Sequence, residues 1–334
     1  MNKIKIGLWR NLPPNCPFDK ETDLIYPIEL IFPSGRQALN FALTQVGLSR
    51  PNRIAIPEWS SHCVISTVGM TSTPIPMNEV IRYNIKTDAV LLYEQWGWPF
   101  DAEIKSEVLK KFKNVIIILD RVDSADINNE TRIRFYPETI QIELISLSKI
   151  LGLVGGGLVK INGKNLTFES KSIDEKISAS IWNNEFDDST NKKLINIHKN
   201  EIEALHPKLI RWFSRNDIIT ALEEECLIRR KNLSLIIKSD LSSNWPEWMI
   251  LGYKKGAGPG IAPIFKDLPP GALNKIQEKI LNTYSIETSI YHFNWSGNPL
   301  KPNYELVLAF PIHGLIRDKL TEVIDDLVDS TNKN

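Results

Sequence analysis

Residues 114–120 read NVIIILD: five aliphatic side chains in a row, closed by an aspartate. Nothing in the run alternates between polar and apolar, so neither face of it is suited to water. A short, unbroken apolar segment of this kind reads as a strand buried on both faces, as in the middle of a parallel sheet. Two upstream segments, NRIAIP (52–57) and DAVLLY (88–93), have the same form and also end in polar or turn residues. Beside them lie stretches that can form helices, SGRQALNFALTQVG (34–47) and DAEIKSEVLKKF (101–112). Strands alternating with helices predict an α/β domain over roughly residues 30–165.

The texture then changes. Residues 166–240 are charged and helical in pattern, most clearly in NKKLINIHKNEIEALHPKLIRWF (191–213) and DIITALEEECLIRRKNLSLIIKS (217–239). From about residue 245, strand-like segments precede an amphipathic helix, RDKLTEVIDDLVDS (317–330), which predicts a smaller α+β unit. The expected division is a large domain over 1–235 (an arm to 30, the core sheet over 30–165, a helical segment over 166–235) and a small one over 236–334.

Composition narrows the classes. In 334 residues, 40 basic side chains balance 40 acidic ones, so no global field draws the chain to nucleic acid or an anionic membrane. Cys16, Cys63 and Cys226 are odd in number and far apart, which fits a reducing compartment rather than a disulfide framework. No CxxC or HExxH spacing marks a metal site. MNKIKIGLWRNLPPN lacks the apolar core of a signal peptide and no apolar stretch approaches a membrane span, so a cytoplasmic protein is expected.

In open α/β sheets, ligands sit beyond the carboxyl ends of the strands. Three features occupy such ends. Asp120 closes NVIIILD, Lys149 closes ELISLSK (143–149), and Ser34-Gly35 opens a helix after the strand-like LIF (30–32). The 29 positions between Asp120 and Lys149 allow a crossover between parallel strands. Alone, each has an ordinary reading: a turn former, a solvated lysine, a tight turn. Together they match pyridoxal phosphate (PLP) chemistry. That chemistry needs a lysine amine for the cofactor aldehyde, a carboxylate at the pyridine nitrogen and a helix N-terminus for the phosphate.

Over residues 30–325 the sequence resembles the DegT/DnrJ/StrS aminotransferases, fold-type I PLP-dependent enzymes of the aspartate aminotransferase superfamily. FPSGRQALNFAL (32–43) is similar to that family's phosphate-binding SGTxAL segment, and ILDRVDSAD (118–126) to its E-D-A-A-Q-A stretch. SLSKILGLVGGGLV (146–159) resembles its S-x-x-K followed by paired glycines. RIAIPEWSSHCVISTVGMTSTPIP (53–76), YEQWGWPFD (93–101), YHFNWS (291–296) and LAFPIHGLI (308–316) follow in the family's order. The resemblance implies a mostly parallel sheet flanked by helices, with a smaller α+β C-terminal domain.

Carried over, Lys149 would be the Schiff-base lysine and acid–base group, and Asp120 the partner of the pyridine nitrogen. Gly35, Arg36 and Gln37 would offer N–H groups to the phosphate, helped by Ser146 or Ser148. Trp59 or His62 would stack on the ring. Asp123 stands where the family has Gln or His near the phenolic oxygen; it is expected either protonated or paired with Arg121. Ser61 replaces the second aromatic of the family's PxFTF turn. Its G-Y-N-Y-R segment has RWFSRNDI (211–218) as the nearest match, making Arg215 and Asn216 candidates for a contact across a homodimer. Trp96, His292 and His313 are candidates for substrate contact, with core packing as the other reading for Trp96, Trp98 and Trp295.

The implied reaction moves an amino group from an amino acid, glutamate first, to a keto sugar carried on a nucleotide, for polysaccharide or secondary-metabolite synthesis. The rivals are a lyase, dehydratase or decarboxylase on the same cofactor, and a retired member acting as a binding or regulatory protein. Gly155-Gly156-Gly157 reads as close backbone packing, since no GKS or GKT makes it a P-loop. His198 and His206 read as solvated, and Arg229, Arg230 and Lys231 as a solvated helix face. GYKKGAGPGIAP (252–263) reads as a turn-rich loop.

Overall fold

The computed structural model describes residues 5–11, 29–32, 34–126, 140–152, 156–162 and 215–331. The sheet expected from the apolar runs is present. Seven strands, β1 (Glu29–Phe32), β2 (Arg53–Ile56), β3 (Thr73–Pro76), β4 (Ala89–Tyr93), β5 (Ile116–Asp120), β6 (Gln141–Ser146) and β7 (Gly157–Asn162), lie in the order β1-β7-β6-β5-β4-β2-β3. The run β6-β5-β4-β2-β3 is parallel, whereas β7 is antiparallel to both its neighbours.

The absence of alternation in the strand sequences has its cause in the two cores. Ile54, Ile56, Leu91, Ile118 and Leu144 pack under the helices α1 (Gly35–Gln45) and α2 (His62–Thr71). The intervening Ala55, Val90, Leu92, Ile117 and Leu119 face the other way, onto α3 (Met77–Arg82) and α4 (Ala102–Lys111). Successive strand side chains point to opposite faces, so a strand covered twice must be apolar at every position. Helix α1 starts at Ser34, whose Oγ accepts from Gln37 N–H at 3.3 Å, and α4 at Asp101, whose carboxylate accepts from Glu103 N–H at 2.8 Å.

After β6 comes a short helix, α5 (Leu147–Leu151), and beyond β7 a long one, α6 (Arg215–Ile237). The expected helical stretch over 166–214, with His198 and His206, lies outside the described residues. The C-terminal part has a three-stranded antiparallel sheet of β8 (Ile261–Ile264), β9 (Ser289–Asn294) and β10 (Tyr304–Pro311), in the order β8-β10-β9. Helices α7 (Glu247–Lys254), α8 (Pro270–Tyr284) and α9 (Leu320–Thr331) accompany it. Leu320, Val323, Ile324 and Leu327 form the buried stripe of α9 at helical spacing. Ile6 and Leu8 join this second core, as do Trp96 and Trp98, so the described N-terminal residues pack with the C-terminal sheet.

Candidate active site

Three adjacent parallel strands each deliver a polar group past their carboxyl ends. Tyr93 ends β4, Asp120 ends β5 with Asp123 in the turn that follows, and Lys149 sits in the first turn after β6. The Lys149 ammonium donates to Asp123 Oδ1 at 3.0 Å, and the Tyr93 hydroxyl donates to Asp123 Oδ2. Asp123 is fully buried, whereas 38 % of the Lys149 side chain is exposed. Burial works against the lysine's charge, but Asp123, and then Asp120 and Cys63, outweigh it and hold the amine above its ordinary value. Burial, reinforced by Asp123, raises the Asp120 carboxyl to about 7.

Beside this cluster lies the N-terminus of α1. A Cβ on Gly157 would meet Gly35 N at 2.6 Å, so β7 can pass under the helix start only with glycine at this position. Gly156 adopts φ +99°, and a Cβ there would meet Leu147 Cδ1 at 2.8 Å. The side-chain direction of Gly35 points at Val122 Cγ1 (3.7 Å) and Ser146 Cβ (3.9 Å). Ser146 Oγ and Ser148 Oγ lie 3.0 Å apart in the same neighbourhood. The structure thus groups Gly35, Ser146 and Ser148, and separately Asp120, Asp123 and Lys149, around Val122.

The remaining expected residues have these surroundings. Arg121 does not pair with Asp123: it contacts Glu94 at 3.4 Å and Glu143 at 2.9 Å, and donates to Asp126 O. His313 is 1 % exposed, with Nε2 2.9 Å from Gly7 O and burial lowering its pKa to about 4. It is a core histidine and does not reach a surface that a substrate could touch. Trp96 is likewise buried and stacked on Phe293, at 4.9 Å between centroids. Trp59 stacks on His292 at 4.6 Å and 19°, at the exposed rim. His62 opens α2, exposed, with Nδ1 3.4 Å from Ser66 Oγ. Arg215 and Asn216 begin α6.

Two arginine and loop readings change as well. Arg229 is no part of a solvated face: it is 1 % exposed. It donates to Glu225 Oε1 (2.9 Å), Asp123 O (3.1 Å) and Ile150 O (3.2 Å), bracketing the backbone on both sides of the lysine–aspartate pair. Glu225 also accepts from Arg10 at 2.5 Å and from Gly314 N–H at 3.1 Å, so one buried carboxylate serves two buried guanidinium groups. Residues 252–263 are the end of α7, a glycine-rich turn and β8. Gly258 O accepts from Ala125 N–H at 3.3 Å, and Gly260 N–H donates to Trp96 O at 2.8 Å, so this loop braces the turn that carries Asp123. Tyr93 was within reach of the strand-end rule, because it closes DAVLLY. Arg229 carried no such signal.

A small cleft is lined by the exposed ring of Trp59, the half-buried rings of Phe100, Trp248 and Tyr304, and the buried rings of Trp98 and Phe293. Tyr93 lines it too, so the cleft abuts the Asp123–Lys149 cluster. Asn78 and Gln95 add amides to the aromatic wall. Among the described residues, no group of His, Cys, Asp and Glu side chains could hold a metal ion.

The donor set fits PLP. Asp120 is a buried carboxyl with one described hydrogen bond, from Val122 N–H at 3.2 Å, and a cationic partner would relieve its raised pKa. The amine of Lys149, the start of α1 and two serine hydroxyls complete what an aldehyde and a phosphate require. Known structures agree on the fold. That of 3-amino-5-hydroxybenzoic acid synthase matches with a TM-score of 0.56 at 10% identity, covering 92% of this chain and 87% of its own. NtdA from Bacillus subtilis, with bound cofactor PMP, matches at 0.54 and 13% identity, over 91% of this chain and 74% of its own. DesI, in the presence of its TDP-sugar product, matches at 0.51 and 13% identity, over 90% and 79%. No curated protein matches the chain. Residues 22–240 match the family described as "Putative PLP-dependent aminotransferase". With that match over most of its length, and with a lysine, a buried aspartate and a helix start gathered at the carboxyl edge of a fold-type I sheet, this chain belongs to that family of PLP-dependent aminotransferases.

Proposed function

We propose that the protein transfers an amino group from an amino-acid donor, glutamate first, to the ring carbonyl of a keto sugar carried on a nucleotide, and that it works as a homodimer. The aromatic cleft beside Tyr93 carries this reading. Ring faces bury the apolar faces of a sugar while its hydroxyls stay free for hydrogen bonds to an amide such as that of Asn78. DesI, of like fold, is described with a TDP-sugar product. PLP, when bound, supplies the aldehyde that takes up the amino group and the ring that withdraws electrons from the reacting carbon.

The chain's own residues do the rest. Lys149 would be the group that holds PLP by its aldehyde and, once released as the free amine, the group that moves the proton at the substrate carbon, from a position fixed by Asp123. Asp120 would hold the ring nitrogen as a carboxylate, a state that the nitrogen's proton would stabilise in a site that otherwise favours the neutral acid. The first turn of α1 and the hydroxyls of Ser146 and Ser148 bind the phosphate. The dimer is supported by α2, whose Ile65 and Met70 are 39% and 64% exposed.

The test is a pair of half-reactions followed by cofactor absorbance. Glutamate should change the spectrum of the loaded protein, and a keto-sugar nucleotide should restore it. If simple keto acids restore it and sugar nucleotides do nothing, the sugar reading is wrong.

A further inference from the structure

A second contact of Lys149, besides Asp123, comes from the other end of the chain. Residues 5–11 are held at several points, among them the following. Ile6 N–H donates to Ser285 O at 2.9 Å, and Glu287 N–H donates to Ile6 O at 2.8 Å. Gly7 O meets His313 Nε2 at 2.9 Å, and Arg10 reaches Glu225 at 2.5 Å. Between these anchors the half-buried ring of Trp9 lies over Lys149, its centroid 4.8 Å from Nζ. The ring is seated against Gly260, where a Cβ would come within 3.1 Å of Trp9 Cζ3. Trp9 packs on the second core as well, which is the ordinary reason for an indole to be there. Packing alone does not require its face to be turned to the one amine that the reaction uses.

We infer that Trp9 is a working residue of the active site, resting on the assignment of Lys149 as the cofactor lysine: its ring face binds the Lys149 ammonium and biases that amine toward the charged form. A cation over an indole is attracted by the negative face of the ring, most strongly for tryptophan among the aromatic residues. The titratable groups that face Lys149 are Asp120 at the end of β5, Asp123 in the turn after it, and Cys63 from α2. Trp9 acts in the same direction as these but carries no titratable group, so its contribution is constant across pH. Capture of an aldehyde needs the neutral amine. Its lone pair forms the C–N bond, one water leaves, and the proton that the ammonium gave up goes to solvent. Trp9 therefore restrains loading at neutral pH.

The experiment is the rate of PLP loading onto cofactor-free protein as a function of pH, read by absorbance and by a borohydride-fixed adduct on Lys149. It is run for the native chain, Trp9→Phe and Trp9→Leu. The midpoint should move to lower pH in the order native, Phe, Leu. At a fixed pH below the midpoint, Trp9→Leu should load about threefold to tenfold faster, the range expected for losing a partly solvated cation–π contact. A merely structural Trp9 would lower the melting temperature and leave the midpoint in place. Superimposed profiles, an upward shift, or a shift in Leu without one in Phe would overturn the inference. If Trp9→Leu does not fold, Trp9→Phe decides, since its weaker face must still move the midpoint. Loading of the native chain on a lysine other than Lys149 would overturn both this inference and the site assignment, and is seen directly in the adduct map.

Discussion

The Asp123 carboxylate lies 3.0 Å from Lys149 Nζ, and only the lysine of this pair has access to solvent. The aspartate is fixed on both oxygens, by Lys149 and by the Tyr93 hydroxyl, so the mobile member of the pair is the one that must react. Its partner is a fixed negative charge that cannot swing away to water.

Asp123→Asn keeps the shape and removes the charge. An opposite charge at this range favours the ammonium by about 1–3 pKa units. The lysine's pKa is raised in the native chain, so the substitution should move the midpoint for PLP loading to lower pH by about one unit or more. Spectrophotometric titration of the loaded fraction checks this. An unmoved midpoint would mean that the pair is packing without electrostatic consequence.

Asp120→Asn should change how the cofactor-free protein responds to pH. The folded-state pKa of Asp120 is raised from 3.8 to about 7. The folded chain therefore binds more protons than the unfolded chain between those values, and stability falls as pH rises through that window, by up to about 1.4 kcal/mol per pH unit. The asparagine variant should show a flatter melting curve over the same window. Some slope should remain, because burial also lifts Glu94 to about 7. In the loaded enzyme the same substitution should slow proton transfer by orders of magnitude while leaving the fold intact. Melting temperature and single-turnover rate, measured together, separate the two effects.

Gly157→Ala places a methyl 2.6 Å from Gly35 N, against backbone that cannot rotate away. A cost of about 1–3 kcal/mol in stability is expected for such overpacking. Because the atom displaced belongs to the first turn of α1, PLP should also dissociate faster from the variant. Thermal melts and equilibrium dialysis with PLP report the two losses. A cost in stability without weaker PLP binding would separate the glycine from the phosphate site.

Met70→Glu on the exposed face of α2 should leave the monomer fold intact, because the side chain is 64% exposed. If a second copy covers that face, sedimentation should shift from dimer toward monomer and activity should fall with it. A variant that sediments and turns over like the native chain would rule out this surface as the contact.

The central sheet was legible because burial on both faces removes polar residues from a strand, as in NVIIILD, and that deletion is visible without any partner. The order of the strand-end residues was legible for the same reason: Asp120 and Lys149 interrupt apolar runs. The direction of β7 was not, since an apolar run reads the same whether it pairs parallel or antiparallel. Arg229 read as solvated because its helix neighbours are charged; what buries it is Glu225 one turn earlier, together with carbonyls at positions 123 and 150. Trp9 is 140 positions from the lysine it touches, beyond any local pattern. Arg121 pairs with Glu94 and Glu143 rather than Asp123, a choice set by which face of the sheet each side chain leaves.

The guanidinium of Arg229 ties α6 to the peptide carbonyls of Asp123 and Ile150, while Trp59 and His292 meet by ring contact at the exposed rim. These two contacts differ in what it takes to part them. Breaking the buried arginine's contacts would cost several kcal/mol, whereas two solvent-facing rings part for much less. Arg229 is thus a pin through the wall behind the site, and the spacing of Asp123 and Lys149 rests on it rather than on the exposed rim.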